Sequence, residues 1–323
     1  MDNNTILVLA NPTEPQLAML EELPPETGLA VGNSPEAFAR TAADANVLFN
    51  WSGSRALLRE VFAMCPSLEW VHARSAGLDS VLFPELVEHP VPLTNGSGVF
   101  SPSLGEFVLG AILYFAKDFR RMVRHQQAGQ WEPFDITLIS GQTAGIIGYG
   151  DIGRACATRM KAMGLRVLAV KRSGPPLYNA DPLVEQIYAP DRRIEMIQRC
   201  DYIVVAAPLT GQTRGMLGPA EFAAMKPSAV VINVGRGPVI DEAAMVQALS
   251  QGLIKGAALD VFDQEPLPAG HPFYGLENVL LSAHCADHTP DWMDLAMRFF
   301  LDQFARFRKG EPLLNVVNKQ LGY

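Results

Sequence analysis

The chain has 323 residues, 48% apolar and 19% charged, enough for two ordinary hydrophobic cores, and contains no apolar run near the ~20 residues of a membrane span. Its formal charge of -8, from 26 basic and 34 acidic residues without a sustained basic block, argues against a nucleic-acid binder or a polybasic membrane anchor and points to a small-molecule partner. The four scattered cysteines, Cys65, Cys156, Cys200 and Cys285, form no C-x-x-C pair, so neither a disulfide framework nor a zinc site is expected and a reducing cytoplasm fits.

The start, MDNNTILVLANP, has no basic segment followed by a long apolar one, which argues against secretion. The apolar runs TILVLA (5 to 10), ANVLFNW (45 to 51) and LEWVHAR (68 to 74) alternate with helix-like stretches such as SRALLREVFAMC, the pattern of a parallel sheet with crossover helices. After PLTN (92 to 95) and GSG, the run Ser101-Pro102-Ser103 predicts the start of a long helix reaching about Gly129. Arg120, Arg121 and Arg124 then fall near its end, where cations suit the helix dipole. Six further runs, TAGIIGYG, RVLAVKR, YIVVAAP, AVVINVG, IKGAALDV and NVLLSAH, are apolar on both faces and predict a Rossmann-type parallel sheet inserted into the first unit. An amphipathic helix from Pro290 to about Lys309 is expected to return to that first unit, and Pro24-Pro25 and Pro175-Pro176 read as loops.

Within GIIGYGDIGRA, Gly148, Gly150 and Gly153 form G-x-G-x-x-G between a strand and a helix. The first glycine permits a tight turn, the second a close approach to a pyrophosphate and the third close helix–sheet packing. The N–H groups at the helix start, from Asp151 and Ile152 to Gly153 and Arg154, face the phosphates. At the end of the next strand, where an acid normally binds the adenosine ribose, stand Lys171, Arg172 and Ser173. Two cations and a hydroxyl suit a 2′-phosphate, and one charge-assisted contact of ~1.5–3 kcal/mol favours NADP over NAD by about tenfold to a hundredfold. NADP(H) is therefore the expected cofactor, with NAD(H) possible; the bland alternative is a solvated strand end.

Three polar residues follow three consecutive late strands: Arg236 after VVINVG, Glu265 after GAALDV and His284 after NVLLSA. A parallel sheet puts all three at its carboxyl edge. Reduction of a ketone needs a proton donor and a positive field at the oxygen as hydride arrives. His284 paired with Glu265 is held in one tautomer and kept protonated, while Arg236 offers a planar fork of donors to a carboxylate and carbonyl.

VINVGRGPVIDEAAMVQALSQG, ALDVFDQEPLP, LSAH and TAGIIGYGDIG resemble the signature segments of the D-isomer-specific 2-hydroxyacid dehydrogenases. ARSAGLDS (73 to 80) is similar to that family's substrate-carboxylate loop and TNGSGVFSPSLGEFVLG (94 to 110) to its domain crossing. The resemblance implies Arg236, Glu265 and His284 as the catalytic set, a cleft between domains and a homodimer formed through the cofactor domains. It implies an α/β fold of two Rossmann-like domains. A doubly wound parallel-sheet dinucleotide-binding domain, residues 99–287, is inserted into a discontinuous flavodoxin-like substrate domain, residues 1–98 and 288–323.

The resemblance also assigns the substrate carboxylate to the backbone N–H groups of Ser75, Ala76 and Gly77, although a plain turn has the same sequence. Thr94 and Pro208 line the nicotinamide side, and Thr213 and Val234 join the cofactor set. Asp260 either tunes the charge of the cofactor site or is a buried structural acid. The KRS segment departs from the family's usual acid and resembles NADPH-using glyoxylate and hydroxypyruvate reductases. Small 2-ketoacids are the implied substrates and D-2-hydroxyacids the products. Trp51, Leu78, Phe100, Trp131 and Trp292 are candidates for the substrate R-group pocket.

Other readings weigh less. A metal at His284-Cys285-Ala286-Asp287-His288 conflicts with the role of His284. A co-repressor-like NAD(H)-sensing module shares the triad but not the KRS segment, and phosphite oxidation by the same fold stays open. A phosphoglycerate dehydrogenase with a regulatory domain would need more chain after about residue 310, and formate dehydrogenases carry Gln in place of Glu265.

Overall fold

The structure, a computed structural model, describes residues 4–172 and 181–323. Ser173 and the Pro175-Pro176 loop lie outside the described residues. The chain divides into two compact units, Met1–Phe100 with Thr289–Tyr323, and Ser101–His288.

In the first unit, strands β1 (Thr5–Leu9), β2 (Gly28–Gly32), β3 (Val47–Asn50), β4 (Trp70–Ala73) and β5 (Leu93–Asn95) form a parallel sheet in the order β2-β1-β3-β4-β5. This is the flavodoxin-like order. Helix Arg55–Ala63 starts on Ser54, whose hydroxyl accepts from Leu57 N at 3.2 Å, and buries Leu57, Leu58, Val61 and Phe62 along one stripe. The final helix, Trp292–Arg308, buries Met297, Phe300, Leu301 and Phe304 in this unit, with Phe300 stacked on Phe49 at 3.9 Å. Each such side chain contributes roughly 1.5–3 kcal/mol on leaving water.

His72, on β4, is fully buried in this core. Trp70 Nε1 donates to the Thr94 hydroxyl at 2.8 Å, and that hydroxyl is hydrogen-bonded to His72 Nδ1 at 2.7 Å. Burial depresses the His72 pKa to about 3. The unfolded chain therefore binds a proton that the folded one refuses as pH falls from about 6.5 toward 3. Stability falls over that window by about 1.4 kcal/mol per pH unit from this residue alone. Denaturant unfolding at pH 7 and pH 5.5 checks this: His72→Asn, which keeps an acceptor for Thr94, should show a shallower loss than wild type.

In the second unit, β6 (Thr143–Ile147), β7 (Arg166–Val170), β8 (Gln186–Tyr188), β9 (Tyr202–Val205), β10 (Val230–Asn233), β11 (Gly256–Leu259) and β12 (Val279–Leu281) form a parallel sheet ordered β12-β11-β10-β9-β6-β7-β8. The six apolar runs read from the sequence are six of these strands. Ile147 pairs with Val170 and Val205, and the line continues through Asn233, Leu259 and Leu281. Six strands thus end at one level, and the loops that follow start from a common edge. The strand order reverses between β6 and β9, the position where doubly wound sheets bind ligands.

The long helix expected to reach Gly129 is two helices, Ser101–Lys117 and Phe119–Ala128. Asp118 adopts a left-handed conformation (φ 51°), which breaks the first helix, and its carboxylate accepts from Arg121 N to start the second. Arg120 and Arg121 consequently lie at a helix start rather than at a helix end. Arg121 stacks over Phe134 at 4.4 Å and Arg124 pairs with Glu277 at 3.0 Å, so these cations have local partners. Ile112 and Phe115 are buried in the unit's core, and Phe107 packs at its margin. Among the described residues no helix is long and apolar enough to cross a membrane.

Candidate active site

Gly148 follows β6 at φ 94°, and a Cβ there would sit 2.5 Å from the Ala207 backbone, so the turn and the close approach both require glycine. Gly153 lets the helix Asp151–Ala162 approach the loop, since its Cβ would meet Gly148 O at 2.7 Å. A Cβ on Gly150 would meet nothing within 4 Å. No side chain caps the helix, so the N–H groups of Asp151, Ile152 and Gly153 face the space beside Gly150. Open room over an uncapped helix start fits the pyrophosphate of a dinucleotide.

Gly148 N and Tyr149 N both donate to the Val170 carbonyl at 3.2 Å, which ties the glycine loop to the residue just before Lys171. The half-buried Lys171 and the exposed Arg172 therefore stand at the flank of the loop, with Arg172 Nη1 donating to Gln212 Oε1 at 2.9 Å. The Tyr149 hydroxyl donates to Asp181 at 2.8 Å and Arg154 pairs with the same carboxylate, a brace that sequence reasoning missed. Pro208 is exposed after β9, and its carbonyl accepts from the Thr213 hydroxyl at 2.6 Å. Thr213 therefore shapes this loop with its hydroxyl.

Two residues expected at the cofactor are buried. Val234, 4% exposed, packs in the core. Asp260 is 2% exposed, and its Oδ1 accepts from Cys285 N at 3.0 Å and Ala286 N at 3.1 Å, while its carbonyl accepts from His284 N at 2.9 Å. Asp260 is thus a buried acid that holds the His284 loop.

β10, β11 and β12 are neighbours ending in register, which brings Glu265 and His284 into contact and sets the Arg236 loop beside them, with Arg236 Nη1 donating to the Gly235 carbonyl at 2.8 Å. Asn233 organises the first loop: its Oδ1 accepts from Gly235 N at 3.0 Å and its Nδ2 donates to the Arg236 carbonyl at 3.1 Å. A polar residue closing the apolar run VVIN was the signal available for it. The Gly237 backbone lies against Phe262, where a Cβ would overlap the carbonyl carbon at 2.0 Å, so the Arg236 loop rests on the loop of Glu265. Glu265 Oε1 accepts from Phe262 N at 2.9 Å, and its Oε2 lies 2.6 Å from His284 Nδ1. With Nδ1 given to the carboxylate, Nε2 remains for a substrate. His284 sits in the left-handed region (φ 51°), a conformation that the bonds from Asp260 help to fix. Burial is the main reason the neighbouring Asp287 carboxyl lies above its ordinary range; the charge of His288 opposes the shift. Beside the pair opens a cleft of about 350 Å³ walled by Phe262, Pro266, Leu267, Tyr274 and Leu281. Among the described residues no group of three or more His, Cys, Asp or Glu side chains is placed to hold a metal.

In the first unit, the half-buried turn Ser75-Ala76-Gly77 follows β4. Its three carbonyls are all engaged: Ser75 O by Gly96 N at 3.2 Å, Ala76 O by Asn95 Nδ2 at 2.7 Å and Gly77 O by the Ser75 hydroxyl at 2.9 Å. Among the described residues none of the three N–H groups donates to the protein. Arg74, absent from the sequence expectations, lies between the rings of Trp51 and Trp292 at 5.0 and 5.4 Å. Thr94, expected to line the nicotinamide side, is fully buried with its hydroxyl held by Trp70 and His72. Trp51, Leu78 and Phe100 are buried in this unit, whereas Trp131, in the other, is 97% exposed.

The sequence matches the family profile described as D-isomer specific 2-hydroxyacid dehydrogenase, NAD binding domain, over residues 109–286. It is 30% identical to D-3-phosphoglycerate dehydrogenase of Methanocaldococcus jannaschii across 97% of this chain, although the chain spans only 59% of that relative's length. Against a glyoxylate reductase of Korarchaeum cryptofilum it is 30% identical, covering 81% of this chain and 80% of the relative. Among solved structures, an NADPH-dependent glyoxylate/hydroxypyruvate reductase from Sinorhizobium meliloti in complex with NADP and sulfate matches with a TM-score of 0.83 and 27% identity, over 99% of this chain and 100% of that one. The family profile covers more than half of the chain, over a stretch that contains the glycine loop, Arg236, Glu265 and His284, so this protein belongs to the D-isomer specific 2-hydroxyacid dehydrogenases.

Proposed function

We propose that this protein reduces small 2-ketoacids of the glyoxylate and hydroxypyruvate type to the corresponding 2-hydroxyacids, the D-isomer where the product is chiral, with NADPH preferred over NADH. The observation that carries the substrate half is the 2.6 Å contact between Glu265 and His284 at the sheet edge shared with Arg236. The cofactor half rests on the cationic pair beside the glycine loop, where an acid would repel a 2′-phosphate. The Sinorhizobium reductase, described as NADPH-dependent, supports the same choice.

When bound, the nicotinamide cofactor supplies hydride to the carbonyl carbon of the ketoacid. His284 Nε2 delivers the proton to the carbonyl oxygen, and the Glu265 carboxylate, 2.6 Å from Nδ1, holds the ring in position. Arg236 binds the substrate carboxylate and adds positive field at the oxygen. Among the described residues the N–H groups of Ser75, Ala76 and Gly77 donate to no protein acceptor, an arrangement that suits an anion, and the neighbouring Arg74 adds positive charge. In the reverse direction His284 takes the proton.

Homodimerisation through the cofactor domain belongs to the same proposal. Phe119, Met122, Val123, Trp131, Ile136 and Leu138 leave an exposed apolar face on the helix Phe119–Ala128 and the segment after it.

Turnover with hydroxypyruvate, followed by chiral analysis of the product, tests the activity: the D-hydroxyacid supports it and the L-hydroxyacid overturns it. Glu265→Gln tests the pairing. Without the carboxylate the imidazole loses the charged acceptor at Nδ1, so kcat for reduction should fall at least about tenfold while NADPH affinity stays within about twofold of wild type. A wild-type kcat would remove Glu265 from the mechanism.

A further inference from the structure

Between β11 and the 3-10 turn Pro272–Gly275, the chain from Asp263 to His271 forms the loop that carries Glu265, Pro266 and Leu267. Both ends of this loop are bound by one side chain from another element. Glu242, the first residue of the helix Glu242–Ser250, accepts from Asp263 N at 3.3 Å through Oε2 and lies 3.0 Å from His271 Nε2 through Oε1. The protonation pattern of His271 follows from its other contact. Phe273 N donates to His271 Nδ1 at 3.3 Å, so Nδ1 carries the lone pair and Nε2 carries the proton given to Glu242. The two donors are met by different oxygens of the carboxylate, and in glutamine one of those positions becomes an NH2 group that cannot accept. The His271 and Glu242 side chains are only 15% and 24% exposed, so water competes poorly for these bonds. Between the two anchors, Glu265 Oε1 accepts from Phe262 N, the peptide just before Asp263, and Oε2 reaches His284. A shift of the Asp263 end therefore moves the Glu265 carboxylate against the imidazole.

We infer that Glu242 is a positioning residue for the reaction: by binding both ends of the 263–271 loop it sets the contact between Glu265 and His284. The inference rests on the catalytic assignment of Glu265 proposed above. An acid in the first turn also suits the helix dipole, but that role would change stability without changing turnover per folded molecule.

The test is a double-mutant cycle on the full chain, with wild type, Glu242→Gln, Glu265→Gln and the double variant assayed for hydroxypyruvate reduction and for NADPH binding. Glu242→Gln should lower kcat about tenfold, leave NADPH affinity within about twofold, and cost nothing further once Glu265 is Gln. A wild-type kcat in Glu242→Gln, or an equal loss in both backgrounds, overturns the inference while leaving the catalytic assignment standing. If Glu265→Gln itself matches wild type, the catalytic assignment fails and the inference falls with it. If Glu242→Gln does not fold, His271 supplies the reading: His271→Leu should lower kcat, whereas His271→Gln, whose amide N–H can reach Glu242, should restore most of it. Equal kcat in the two His271 variants overturns the inference.

Discussion

Replacing His284 by alanine is expected to lower kcat for ketoacid reduction about 10²–10⁴-fold, the range contributed by a positioned proton donor. NADPH binding should change by no more than about twofold, because the glycine loop and the Lys171 strand end belong to a different part of the sheet edge. The left-handed backbone of His284 calls for a control, since alanine there is strained by ~1–2 kcal/mol. His284→Asn tolerates that conformation and should lose the same turnover. Steady-state kinetics beside NADPH fluorescence titration checks both variants. If either keeps wild-type kcat, the proton comes from elsewhere.

Much of this site was legible in the sequence, and the reasons are local. Continuous apolar runs in a doubly covered sheet announce their strands, so VVIN, GAAL and VLL could be placed with Arg236, Glu265 and His284 just beyond them. The glycine spacing announced the loop because each position answers to a different steric demand. Three short edge strands were missed: GLAVG and LTN are poor in the β-branched and aromatic residues that mark a strand, and QIY, though it holds Ile187 and Tyr188, is only three residues long. The break at Asp118 was missed because apolar and polar residues alternate helically on both sides of it. Contacts made by side chains at long range were invisible as well. Neither the two oxygens of Glu242 nor the amides gathered by Asp260 follow from spacing, since each depends on where a distant loop returns.

Replacing Lys171 and Arg172 together with neutral residues is the second large effect expected. The Val170 carbonyl, which accepts from Gly148 N and Tyr149 N, fixes the pair one residue from the loop that would cradle the pyrophosphate. A 2′-phosphate near that point meets two cations. Loss of both should reduce kcat/KM with NADPH by about tenfold to a hundredfold and leave the value with NADH within about twofold. The NADPH term should also weaken with added salt, as expected for exposed Arg172. Equal losses with both cofactors would mean that the pair supports the fold of the strand end rather than a phosphate.

The most direct measurement is kcat/KM of the wild-type protein for NADPH and for NADH, each with glyoxylate and hydroxypyruvate at saturation. A clear NADPH preference with turnover of both ketoacids is the predicted result. An NADH preference would contradict the cofactor assignment, and absence of turnover with either cofactor would contradict the reductase itself in favour of a binding role for the same site.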